Sequence, residues 1–150
     1  ELVSKQMVVA WLSEPPFGLT VTPFFNLRLS FNSGISFSFF QATTAEAVLS
    51  LVVLACAMVV ALVWLGLRAT GIVERVGYGL IIGGAVGNMI DRAGDGVVTD
   101  FLDFHAFGWH WPSFNLADVA IVGGVALLLV SQTTVFCGIQ RTASSAADET

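Results

Sequence analysis

The chain has 150 residues, of which 55% are hydrophobic and 11% charged, whereas soluble domains carry roughly 25% charged residues. Mean hydropathy is +0.82, which excludes both a water-soluble globule and a disordered chain. Six basic residues against eleven acidic ones, with no basic patch, exclude nucleic-acid binding. A small integral membrane protein remains, one domain over 1–150.

In chain order, residues 1–12 are apolar but too short to span a bilayer alone. They read as the later part of a first transmembrane helix whose start lies upstream. A cleaved signal peptide fits less well, because Lys5 interrupts the run and no small-residue cleavage site is visible. Residues 13–44 read as a polar-apolar loop. Within it Leu27, Leu29 and Phe31 alternate with Arg28, Ser30 and Asn32. After Ser33-Gly34, Ile35, Phe37 and Phe39 alternate with Ser36 and Ser38. Period two on both sides of a turn predicts a β-hairpin, an amphipathic platform that could lie on the membrane surface.

Three segments, 45–67, 72–92 and 115–138, each approach the ~20 apolar residues a spanning helix needs. Arg68 and Arg75 between the first two, and Arg141 after the third, put those ends on the cytoplasmic side. Both termini are then inside, and 13–44 and 93–114 face outward. The tail, 142–150, is polar and predicts disorder. The glycines at 79, 83, 84, 87, 123 and 124 predict close helix packing. Cys56 and Cys137 sit in apolar runs and read as small buried hydrophobes.

Ionisable groups at membrane helix ends are costly and point to function. Here they gather on the outer side. G-N-M-I-D-R brings Asn88, Asp91 and Arg92 together, with Asn88 and Arg92 on one face. Asp91 and Arg92 also read as an interfacial ion pair. The aromatic loop 93–114 carries Asp100, Asp103, His105 and His110. Asp103, His105 and His110 make a weak metal pattern crowded by Phe104, Phe107, Trp109 and Trp111, residue types that favour the membrane interface. P-S-F-N-L-A-D opens the last helix, where Asn115 could cap and Asp118 sit in the first turn. If the loop folds back so that the carboxyls of Asp100 and Asp118 meet, repulsion leaves one protonated and one ionised. Such a pair can activate water and protonate a leaving amine.

At these residues the chain resembles the prolipoprotein signal peptidases, the type II signal peptidases of bacteria. E-L-V-S-K at 1–5 is similar to the family's D-Q-x-[ST]-K. F-N-S-G-I-S-F-S at 31–38 is similar to N-x-G-x-x-F. G-N-M-I-D-R at 87–92, V-V-T-D-F at 97–101 and F-N-L-A-D at 114–118 resemble the third-helix and two aspartate motifs. Glu1 stands where the family has aspartate.

The resemblance implies an all-α integral membrane fold, a four-transmembrane-helix bundle with a small extracytoplasmic β-hairpin or sheet. It implies Asp100 and Asp118 as the catalytic pair, with Asn32, Gly34, Asn88, Arg92, Asn115 and Lys5 positioning substrate and carboxyls. It implies a diacylglyceryl-modified prolipoprotein substrate, cut just before the lipidated cysteine in the bacterial inner membrane beside membrane lipid. A monomer suffices, and no cofactor or metal is needed. The contrasting hypotheses are a non-catalytic membrane scaffold on the same bundle, which would tolerate loss of either aspartate, and a metal-dependent hydrolase, which a chelator would stop.

Overall fold

The structure is a computed structural model that describes residues 1–14, 18–33 and 44–148, with side chains described as far as 133 in the last helix. Four helices, α1 (Leu2–Leu12), α2 (Ala45–Arg68), α3 (Ile72–Asp95) and α4 (Leu116–Asp148), accompany four strands. These are β1 (Gly18–Thr22), β2 (Phe25–Asn32), β3 (Val98–Ala106) and β4 (Trp109–His110). The strands form antiparallel pairs in the order β1-β2-β3-β4.

The helices start and stop where local chemistry dictates. Thr44 Oγ1 accepts from Ala47 N (3.2 Å) to open α2. No residue of α2 is buried, as an apolar helix facing lipid requires. Gly96, at φ 76°, closes α3 in a left-handed turn. Among the described residues, α2 and Leu116–Thr133 of α4 are long and apolar enough to cross a membrane; α1 is a shorter apolar helix.

Helices α3 and α4 pack backbone to backbone. A Cβ built on Gly124 would lie 2.5 Å from Gly77 O, and one on Gly84 would strike Ala117 O. Gly79, Gly83 and Gly123 meet nothing within 4 Å, so only part of the expected glycine stripe makes the contact. The working face is Gly77, Gly84 and Gly87, because helical periodicity turns the others away.

Two expectations are corrected, and a third falls partly outside the described residues. The segment 27–32 does form a strand, but its edges pair with β1 and β3; residues 35–39, the expected partner, lie outside the described residues. The aromatic loop is largely strand, because V-T-D-F-L-D-F is rich in β-branched and aromatic residues. Helix α4 runs on to Asp148, across 142–148 where composition predicts a disordered tail. Extending an existing helix adds one hydrogen bond per ordered residue without a new nucleus.

Candidate active site

The last helix builds the first half of the site with its own cap. Asn115 Oδ1 accepts from Asp118 N (3.1 Å), and Asp118 Oδ2 accepts from Asn115 N (3.1 Å). This reciprocal capping box fixes both side chains. Capping leaves Asn115 Nδ2 and Asp118 Oδ1 turned outward from the cap. Asn115 is fully buried, and its Nδ2 donates to Asp100 Oδ1 (2.7 Å) and Asn88 Oδ1 (3.1 Å). Asp118 Oδ1 accepts from Asn88 Nδ2 (2.9 Å).

Asp100 reaches this cap because the chain after β4 folds back. Phe101 N and Leu102 N both donate to Phe114 O (3.0 and 2.8 Å), and Phe114 N donates to Leu102 O (3.1 Å). That bridge sets Asn115 against β3. A β-bulge then aims the side chains. Leu27 pairs with Leu102, but Ser30 pairs with Asp100. An unbroken ladder would set Asp100 across from Leu29. The extra residue on β2 moves Asp100 to the polar side of the strand instead. Asn32 Nδ2 can then donate to Asp100 Oδ2 (3.3 Å).

Helices α1 and α3 complete the arrangement. Lys5, 3% exposed, donates to Asn88 Oδ1 (2.9 Å) and pairs with Asp91 (2.7 Å) and Glu1 (3.1 Å). With its oxygen held by Lys5 and Asn115, Asn88 must present its NH2 to Asp118. Asp91 also accepts from Thr99 N (3.2 Å), tying α3 to the residue before Asp100. Asp91 pairs with Lys5, a partner 86 positions away that sequence spacing does not reveal. Arg92 lies where its charge acts on Asp100, Asp118 and Asp91.

Burial disfavours the charged form of Asp100 and Asp118 adds repulsion. Together they push the Asp100 carboxyl up to about 6, against the opposing pull of the Asn115 and Asn32 amides and Lys5. The structure thus brings together Lys5, Asn32, Asn88, Arg92, Asn115, Asp100 and Asp118; Gly34 lies outside the described residues. Asp103 belongs to a separate cluster. Burial alone would raise its carboxyl, but the Asn26 amide (3.0 Å) and His110, with Nδ1 2.8 Å away, hold it below the usual range. The His105 and His110 rings stack at 4.9 Å. Among the described residues no three metal-ligating side chains converge.

A buried carboxyl, Asp100, and a half-buried one, Asp118, bridged by a buried asparagine at the start of an apolar helix, fit a membrane aspartic peptidase. The family profile described as Signal peptidase (SPase) II matches residues 1–134. The chain belongs to the signal peptidase II family. A lipoprotein signal peptidase of Francisella tularensis subsp. mediasiatica is 41% identical over 134 residues, covering 87% of this chain and 83% of the relative. One from Nitrobacter hamburgensis is 46% identical over 114 residues, covering 73% and 69%. One from Serratia marcescens is 40% identical over 136 residues, covering 88% and 79%. Two solved bacterial membrane enzymes share the fold. The first has a TM-score of 0.76 at 27% identity over 88% of this chain and 79% of that one. The second has 0.71 at 25% identity over 87% and 86%. This signal peptidase is therefore a membrane hydrolase that cleaves signal peptides.

Proposed function

We propose that Asp100 and Asp118 are the catalytic pair of this peptidase. Its substrate is a prolipoprotein bearing a diacylglyceryl-modified cysteine, cut at the peptide bond before that cysteine. The observation that carries the reading is the bridge through Asn115, which hydrogen-bonds both carboxyls at once. Asp100, buried and raised to about 6, holds the proton of the pair. Asp118, in the first turn of α4, is the partner carboxyl of the pair.

Asp118 takes a proton from water, and the hydroxide attacks the scissile carbonyl carbon. Asp100 donates its proton to the carbonyl oxygen. As the tetrahedral intermediate collapses, the C–N bond breaks and the amine leaves with a proton from Asp118. The liberated hydroxyl returns a proton to Asp100. Asn32, Asn88, Arg92, Asn115 and Lys5 hold this geometry.

On this reading the helices lie in the bacterial inner membrane, with α3 packed closely against α4. The sheet and the carboxyls lie at the outer face, where the substrate lipid can remain in the bilayer. A single copy carries every group the mechanism uses.

The test is cleavage of a lipid-modified prolipoprotein in detergent by the parent, Asp100→Asn and Asp118→Asn chains, each with and without chelator. Parent cleavage that survives chelator should drop by about 10³-fold or more in each variant. Full activity in either variant would overturn the pair.

A further inference from the structure

The tip of the β3–β4 hairpin breaks two rules at once. Ala106 pairs with Trp109, leaving Phe107 and Gly108 as a two-residue turn. Both have positive φ, 54° and 80°, the signature of a type I′ turn, which Asn-Gly normally fills. Glycine is at ease there; a bulky aromatic is not. Phe107 is also fully exposed, with no protein surface covering its ring. A strained backbone that presents a bare phenyl ring calls for an apolar medium outside the protein.

The surroundings say which medium. From Phe104 to Ala117 the sequence carries no Asp, Glu, Lys or Arg. Trp109 and Trp111 beside the tip are exposed and meet edge to face at 5.6 Å. Tryptophan is the residue of the membrane–water boundary. The exposed apolar side chains continue from Trp111 into α4 through Leu116, Val119 and Val122, spaced i, i+3, i+6 along one side of a membrane-spanning helix. The turn is therefore one of several exposed apolar elements along 107–122 rather than a lone exposed side chain.

We propose that the Phe107–Gly108 turn is a membrane anchor. Its phenyl ring seats in the headgroup–acyl boundary and holds the sheet that carries Asp100 against the bilayer surface. The anchor rests on the reading that the sheet lies at the outer membrane face. Its occupant is bilayer lipid, not the substrate peptide. Asp103 keeps the finger rigid, because its carboxylate ties β2 through Asn26 and β4 through His110.

The experiment places a nitroxide at Phe107→Cys in the full chain, with Cys56 and Cys137 changed to Ser, in nanodiscs of phosphatidylethanolamine and phosphatidylglycerol. Collision with oxygen should exceed collision with an aqueous nickel chelate at 107, and the reverse should hold for the same label at Glu14→Cys. A label at 107 as open to the chelate as the one at 14 would overturn the anchor. This readout needs no activity, so its failure is distinct from failure of the catalytic assignment. In a second arm, Phe107→Asn relieves the turn and should leave thermal stability undiminished. It should raise KM about tenfold for substrate in vesicles and leave kcat/KM in micelles unchanged. An equal loss of kcat in micelles and vesicles would assign Phe107 to the substrate and overturn the proposal.

Discussion

At the scale of single residues, Asp100 carries the pH response. Burial and the neighbouring Asp118 raise its carboxyl from 3.8 to about 6. Below that value the proposed pair keeps its shared proton, and above it the proton is lost. The kcat/KM profile should therefore fall on its alkaline side as pH rises through about 6. The limb in kcat should lie higher, because a bound peptide excludes more water. Steady-state rates across pH check both. The linkage sign follows: the folded state binds the extra proton, so the Asp100 contribution to stability declines as pH rises from 3.8 through about 6. The aspartates and asparagines themselves were legible as a set of costly polar residues at helix ends. Their pairing was not, because Asn115 serves as both helix cap and carboxyl bridge, and either role alone would account for its place in the sequence.

Among the elements, the α3–α4 crossing sets the distance between Asn88 and Asp118. Gly84 lies against Ala117 O, one residue before Asp118, and Gly124 lies against Gly77 O. Gly124→Ala would force a Cβ to 2.5 Å from that carbonyl and 2.6 Å from Ile81 Cγ1, so the helices must part. We expect destabilisation of about 1–3 kcal/mol and a fall in cleavage, read by thermal unfolding and assay in detergent. Gly123→Ala, which meets nothing within 4 Å, should leave both unchanged. The sequence marks glycine as the packing residue in both helices. Which glycines work depends on helix rotation, a property of the pair of helices. The strand β1 went unread because G-L-T-V-T is short and its pairing partner lies across a tight turn.

For the whole molecule, a buried cation ties α1 to the polar groups of the site. Lys5 gathers Glu1, Asn88 and Asp91 from two helices, and Asp91 in turn holds β3 through Thr99 N. Lys5→Met strands these carboxylates without a counter-charge. It should destabilise the fold by about 3 kcal/mol and lower kcat/KM, because Asn88 is no longer held with its NH2 toward Asp118. Unchanged unfolding temperature and unchanged kinetics in the variant would show that α1 is dispensable to the site.

The membrane setting, the helices and the five ordered motifs are written in local composition and spacing, because lipid demands long apolar runs and polar residues stand out against them. The register of β2 on β3 is not. A single extra residue between Leu27 and Ser30 decides whether Asp100 faces Leu29 or the side of Ser30 and Asn32. The pairing of Lys5 with Asp91 and the meeting of Asp100 with Asn115 are likewise contacts between distant segments. Sequence patterning determines which faces are apolar and which residues are polar. Only tertiary packing, by closing the ladder, the helix crossing and the fold-back onto Phe114, determines which polar groups share one buried site.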